Sequence, residues 1–287
     1  MAVYERTYKG YLGGLTPAWS RFLVLPRYTL KIVFASRIFL AFFVGCFIPS
    51  VSLGVIIYLT HNMKILQLLG IRPGDLALVD SQLFMNFLWS QGFFLGFVMV
   101  LIVGPALLSA DMSNNALPLY LSRPFNRTEY VLGKMSVLMI LLSAITWIPN
   151  LILFFFQGYM AGWEWTSARL HVPIAIFLSS WIWILTLSLL ALAISASVKR
   201  KMTARVLLFG TVTILGAFGG IIGEGMGQDW GHNLNLIQST TVIWAALFGA
   251  SGPPEPSVWT AWITPLAAVG VSLMVLSRKI RAYEVVR

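Results

Sequence analysis

Few residues in this chain are of types and spacings that do chemistry. The three histidines, His61, His171 and His232, are scattered. None has the HExxH spacing that puts two zinc ligands and a base on one helix face. Met135 and Met139 are four apart and share a helix face. Two thioethers there would suit a soft metal, but methionine more commonly fills gaps in a core. Gly249-Ala250-Ser251-Gly252 is shaped like a nucleophile turn. A serine nucleophile needs a base beside it. The later apolar stretch has no histidine, and Pro253-Pro254-Glu255-Pro256 follows at once, which favours a plain turn. Asn126-Arg127-Thr128 has the form of a glycosylation sequon. No GxxxxGK[ST] loop is present to cradle the phosphates of ATP. The chain therefore reads as non-catalytic, with no metal site and no cofactor of its own.

The elements that carry these residues are membrane helices. Charged residues are 10% of the 287 and hydrophobic ones 58%, where a soluble domain carries about a quarter charged. A water-soluble globule or a disordered chain is excluded, and the single Cys46 excludes a disulfide scaffold. Crossing the hydrocarbon layer takes about 20 apolar residues as a helix. Six stretches qualify, at about 38–60, 83–110, 130–157, 173–198, 206–223 and 258–277. Their continuous Leu, Ile, Phe and Val runs are unlike barrel strands, which alternate. The fold class is an all-α integral membrane protein with six transmembrane helices. A basic arm, residues 1–37, precedes one six-span membrane domain, 38–287. The first stretch reads as an uncleaved signal anchor.

Lys and Arg number 20 against 10 Asp and Glu, and they are sorted. The arm, the loops after the second and fourth stretches and the tail hold nearly all of them. The alternate loops hold only Lys64, Arg72 and Arg169. By the positive-inside rule both termini are cytoplasmic. Topology and anionic membrane lipid account for the basic excess, so no nucleic-acid partner is expected. Within the arm, Trp19, Phe22, Leu23, Leu30, Val33 and Phe34 form one arc of a helical wheel, with Arg21, Tyr28 and Lys31 opposite. This predicts an interfacial amphipathic helix, kinked at Pro26. With Lys134 counted in a loop, no ionisable residue lies inside the six stretches. Ion-driven carriers usually need one, so the energy for any uphill transport comes from elsewhere. Gly92-x3-Gly96, Gly216-x3-Gly220 and Gly219-x3-Gly223 let helix backbones approach closely, and packing within the bundle is the simpler use of them.

The most patterned loop runs from Ser109 to Lys134, SADMSNNALPLYLSRPFNRTEYVLGK. Asp111, Ser113 and Asn114 are types that start helices, and Ala116–Leu121 is long enough for one or two turns. Arg123-Pro124 ends that helix, since the residue before proline resists helix. Thr128 is the expected N-cap of the next. This loop resembles that of the permease subunits of type-2 ATP-binding-cassette exporters. The resemblance rests on Asp111, Leu121, Ser122, Arg123, Pro124, Arg127, Gly133 and Lys134, together with the six-span count and the basic arm. It departs at the helix start, where many members carry Glu-Arg-x-x-Gly-Thr and this chain has Asp111-Met112-Ser113-Asn114-Asn115-Ala116.

The resemblance implies that the short helix is a cytoplasmic coupling helix seated on a separate ATP-binding-cassette ATPase subunit, which would hold the ATP and Mg. Leu117, Leu119, Tyr120 and Leu121 are the contact candidates, with Asp111, Arg123, Pro124 and Arg127 beside them. It also implies a second permease copy or homologous half, a bacterial inner (plasma) membrane, and short re-entrant helices in the long loop from about Glu224 to Ser257. There Glu224, Trp230 and His232 are the candidates for an outer gate or substrate contact. An uncharged lining would suit a hydrophobic or amphipathic substrate. The alternatives are a force-transmitting complex of the same kind without flux, a membrane-embedded hydrolase using Ser251, and an ion-coupled carrier.

Overall fold

The computed structural model describes residues 18–68, 70, 79–114, 126–253 and 255–280. Every regular element among them is helical. An arm helix, α1 (Val24–Phe34), comes first. Among the described residues, six helices are long and apolar enough to cross a membrane: α2 (Arg37–Thr60), α3 (Ser81–Ser113), α4 (Arg127–Ala161), α5 (His171–Ser197), α6 (Lys201–Gly225) and α8 (Val258–Lys279). Between α6 and α8 lies the shorter apolar helix α7 (Leu236–Phe248). The chain is a multi-pass, all-α membrane protein.

The helices extend the apolar stretches chiefly at their basic ends. α6 begins at Lys201, α4 begins at Arg127, and α3 ends at Ser113. Hydrophobicity marks the part of a helix that meets hydrocarbon, and the polar turns beyond it go uncounted. At 1.5 Å per residue, α3 spans roughly 50 Å, so it tilts or projects from a hydrocarbon core about 30 Å thick.

Prolines set the breaks. α2 is interrupted at Cys46–Phe47 and α4 at Thr146. In each case the first half ends four residues before a proline, at Gly45 before Pro49 and at Ile145 before Pro149. A proline ring clashes with that carbonyl and supplies no N–H to it. Pro26 works differently from the expected kink. A 3₁₀ turn, Ala18–Leu23, leads into α1, and Pro26 sits in the first α-helical turn, where a missing N–H costs nothing. Leu25, Leu30, Val33 and Phe34 pack on the core, whereas Leu23 is 46% exposed. The side chains of Trp19 and Arg21 lie outside the described residues.

Three helices form the interior. Of the apolar windows of α3, α4 and α5, 61%, 56% and 61% is buried, against 17%, 22% and 17% for α2, α6 and α8. α5 touches α3, α4, α6, α7 and α8. α7 is part of this core: Trp244 and Phe248 are fully buried. Its N-cap is Asn235, whose Oδ1 accepts from the Ile237 and Gln238 N–H groups at 3.1 Å, and Gly249 ends it in the left-handed conformation.

The Gly92–Gly96 and Gly219–Gly223 stripes pack inside the chain, whereas a Cβ on Gly220 of the third stripe would meet nothing within 4 Å. A Cβ on Gly92 would lie 3.1 Å from the Trp244 ring, and one on Gly219 would lie 2.9 Å from the Gly231 carbonyl. Gly92 also falls in a π-helical turn of α3, Ser90–Gly96. Such a turn widens the backbone and misaligns its carbonyls. The Trp183 indole of α5 donates to the Gly92 carbonyl at 2.9 Å. Phe93 then lies tilted between Trp183 and Trp244, with centroids 4.4 and 4.6 Å away. Next to it, buried Gln91 donates to Ser50 of α2 and accepts from Asn150 Nδ2 of α4 at 2.5 Å. This amide chain ties the three helices together in the buried interior.

Candidate functional site

The most informative side chains gather at the basic end of the bundle. Lys134, expected in a loop, lies in α4 and is 7% exposed. Its Nζ is 2.8 Å from Asp111 Oδ2, near the end of α3. The Tyr130 hydroxyl donates to the same carboxylate oxygen at 2.6 Å. Tyr130 and Lys134 are one helical turn apart, so both reach one partner. A buried charge is tolerated when it is paired and hydrogen-bonded, and this arrangement supplies both.

Asp111 therefore does not start a helix. α3 continues through it to Ser113, with Asn114 as C-cap. α4 starts at a different cap as well. Asn126, not Thr128, is the N-cap, and the Glu129 carboxylate accepts from the Asn126 N–H at 2.9 Å. The Asn-x-x-Glu form of the capping box was legible two residues upstream of the one chosen.

Gly133 explains the residue before the lysine. A Cβ there would lie 2.8 Å from Leu25 Cδ1 and 3.0 Å from the Phe22 carbonyl. The arm thus lies directly against α4, one residue from the ion pair. Asp111, Tyr130 and Lys134 join the ends of α3 and α4, and Gly133 seats the arm on them. Residues 115–125 connect these two ends. Leu117, Leu119, Tyr120, Leu121, Arg123 and Pro124 all lie outside the described residues. Arg127 is exposed on the first turn of α4.

A second linkage in the same half was not foreseen. Pro105 sits inside α3. It has no N–H, so the Leu101 carbonyl lacks its helical donor. Arg205 of α6 fills that place, with Nε donating to Leu101 O at 2.9 Å. Ser195 of α5 repairs the next turn. Its hydroxyl donates to Pro105 O at 2.8 Å and accepts from the N–H groups of Leu108 and Ser109 at 3.1 and 2.9 Å. One proline thereby fastens α3 to both α5 and α6.

At the opposite end, the three gate candidates are separated by their environments. Glu224 is exposed in the π-helical end of α6, and Trp230 is 57% exposed. His232 is 6% exposed and turned inward. Its Nε2 lies 3.1 Å from Glu255 Oε2, and its Nδ1 3.1 Å from Gln238 Nε2. Gln238 Nε2 also donates to the Glu255 carbonyl at 2.9 Å. An amide nitrogen is a donor, so Nδ1 accepts and Nε2–H points at Glu255. The ring rests on Gly223, where a Cβ would lie 2.5 Å from Cε1. His232 thus braces α6, α7 and the lead into α8.

The other chemical candidates have structural places. The Ser251 N–H donates to Gln82 Oε1 at 2.8 Å, docking the turn onto α3. Met135 is buried in the core and Met139 packs against it. Among the described residues, no three His, Cys, Asp or Glu side chains gather as a metal set. Among the described residues these polar contacts join one element to another. No family model matches the chain, and no curated protein matches it.

Proposed function

We propose that this chain is the permease subunit of an ATP-binding-cassette exporter, one half of a dimeric pathway driven by a separate ATPase, moving a hydrophobic or amphipathic substrate. In this reading the basic end is cytoplasmic. The supporting observation is the Asp111–Tyr130–Lys134 clamp. It holds together the two helix ends from which residues 115–125 depart, and the arm is seated beside it. A push on that loop reaches α3 and α4 as a unit. The Arg205 and Ser195 contacts pass it to α6 and α5. A lever needs a stiff base, and a largely buried ion pair braced by the Tyr130 hydroxyl provides one. Alternating access is then a population shift between two arrangements of the bundle, set by nucleotide binding to the ATPase.

Reconstitution tests this directly. In proteoliposomes holding the chain and its ATPase, flux of an amphipathic dye should require ATP and stop without the ATPase. Flux that persists without the ATPase, or that collapses with an uncoupler while ATP is held constant, would exclude the proposal.

A further inference from the structure

A cavity of about 500 Å³ opens at the basic end, between the last turns of α3 and the first turn of α6. That is within the size range of small-molecule sites. Ser109, Ala110 and Ser113 form the α3 wall, and Lys199, Arg200 and Lys201 lie on the other. Three successive cations are thus on the wall itself, and among the described residues no carboxylate is. The described carboxylates nearest in the chain are engaged elsewhere. Asp111 holds Lys134 and Tyr130, and Glu129 accepts from the Asn126 N–H. Lys199, Arg200 and Lys201 make no ion pair with any described residue. Residues 115–125, which continue from α3, contain no Asp or Glu in their sequence. The positive charge of this wall is therefore unbalanced.

The backbone has the same sign. α6 begins at Lys201 with Arg200 as N-cap, and no side chain caps it. The first backbone bond of the helix runs from the Ala204 N–H to the Arg200 carbonyl at 3.0 Å. The N–H groups of Lys201, Met202 and Thr203 lie ahead of that bond, and Lys201 and Met202 are on the cavity wall. Uncapped N–H groups at the start of a long helix add to the attraction of the cations for an anion. On the facing wall the Ala110 carbonyl is already satisfied, accepting from the Asn114 N–H at 3.1 Å and the Ser113 hydroxyl at 2.9 Å. Depth narrows the choice of anion. The apolar run of α6 starts at Val206, five residues after Lys201, or about 7.5 Å along the axis. The headgroup layer beyond the hydrocarbon is about 5–7 Å thick on each side, so the cavity lies at the depth of lipid phosphates.

We propose that this cavity binds a phosphate monoester group, held by the side chains of Lys199, Arg200 and Lys201 and by the N–H groups at the start of α6. A monoester carries about −1.5 to −2 charge near neutral pH, whereas a diester carries one negative charge. Three cations therefore favour the monoester. A lipid headgroup and a soluble phosphate both present this chemistry, and the lipid is already at the right depth. Bound there, the group ties the end of α3 to the start of α6. The site does not depend on the ATPase reading, because all of its residues belong to this chain.

The test uses the full chain in maltoside detergent, with dioctanoyl phosphatidic acid, the matching phosphatidylglycerol or phosphatidylcholine, or inorganic phosphate added. Native mass spectrometry counts bound lipid, and the melting temperature reports the effect of each addition. The wild-type chain should retain phosphatidic acid over phosphatidylglycerol, and phosphatidylglycerol over phosphatidylcholine. Lys199→Gln, Arg200→Gln and Lys201→Gln should each lower retention of phosphatidic acid about fivefold, the effect of one cation near a charged surface. Ser113→Asp puts a carboxylate on the facing wall and should abolish the preference. Arg278→Gln and Lys279→Gln, in the exposed last turn of α8 and off the wall, remove the same charge and should leave retention unchanged. All these positions are exposed, and the melting temperature without lipid checks that each variant is folded. Competition by inorganic phosphate would assign the site to the phosphate group alone, and its failure to compete would assign it to a lipid headgroup; both uphold the site. Equal retention of the three lipids, with no shift from inorganic phosphate, would overturn the proposal. So would losses in Arg278→Gln and Lys279→Gln as large as those at 199–201, the mark of a diffuse basic surface.

Discussion

Removing one partner of the Asp111–Lys134 pair should damage the protein far more than removing both. At 2.8 Å, two unit charges attract by about 6 kcal/mol at an effective dielectric constant near 20. Much of that is offset by desolvation, and stranding one charge of a buried pair costs about 3–5 kcal/mol. The side chains here are 9% and 16% exposed, and Tyr130 still donates to the carboxylate when the lysine is lost. The lower edge therefore applies, about 3 kcal/mol for Asp111→Asn or Lys134→Met. The double variant leaves no stranded charge and should lose about 1 kcal/mol. At roughly 2–4 °C per kcal/mol, heating the detergent-purified protein and measuring the surviving folded peak should show losses of about 6–12 °C for each single variant. The double should lose about 2–4 °C. Single variants as stable as the wild type, or a double whose loss equals the sum of the singles, would refute a buried clamp and leave a solvated surface pair.

Three more outcomes follow from particular contacts. Arg205→Leu leaves the Leu101 carbonyl without a donor and should cost about 1.5–3 kcal/mol, the worth of a charged hydrogen bond. In a Pro105→Ala background the helix supplies its own N–H, so the same change should cost less than half as much; a double-mutant cycle on melting temperature checks this, and equal costs would contradict it. On α6, Gly223→Ala pushes a methyl group into the His232 ring and should destabilise by about 1–3 kcal/mol, while Gly220→Ala, with nothing within 4 Å, should be neutral or stabilising by up to about 1 kcal/mol. The order of the two melting temperatures decides it. Gln91→Leu removes the donor to Ser50 and one of the two acceptors of Asn150 Nδ2 and should cost about 1–3 kcal/mol, whereas an unchanged melting temperature would contradict it.

The spans were legible because crossing a membrane demands a long apolar run, and nothing else in this chain imitates one. A helix does form over part of the arm, at Val24–Phe34, and another in the long loop before the last span, at Leu236–Phe248. The ion pair was not legible. Lys134 follows a patterned polar loop, so it read as loop. Its partner Asp111, close to Ser113 and Asn114, looked like a helix start, although the same residues serve equally well at a helix end. Only the approach of α3 and α4 shows that the two meet. Pro105 was a visible signal that the Leu101 carbonyl needed a donor, but sequence does not say which side chain of another helix arrives. Likewise His232 and Glu255 lie far enough apart in the chain that their pairing depends on how α7 folds back. The glycine stripes announced close packing without naming the neighbour.

In the proposed function, residues 115–125 are where a nucleotide-hydrolysing subunit docks. A photo-reactive amino acid at Leu117, Leu119 or Tyr120, activated in native membranes, measures that contact. The expected result is a crosslink to an ATPase subunit, lost together with ATP-driven export when Leu117 and Leu121 are replaced by aspartate, with the melting temperature unchanged. Export by the isolated chain, with no ATPase captured at any of the three positions, would contradict it.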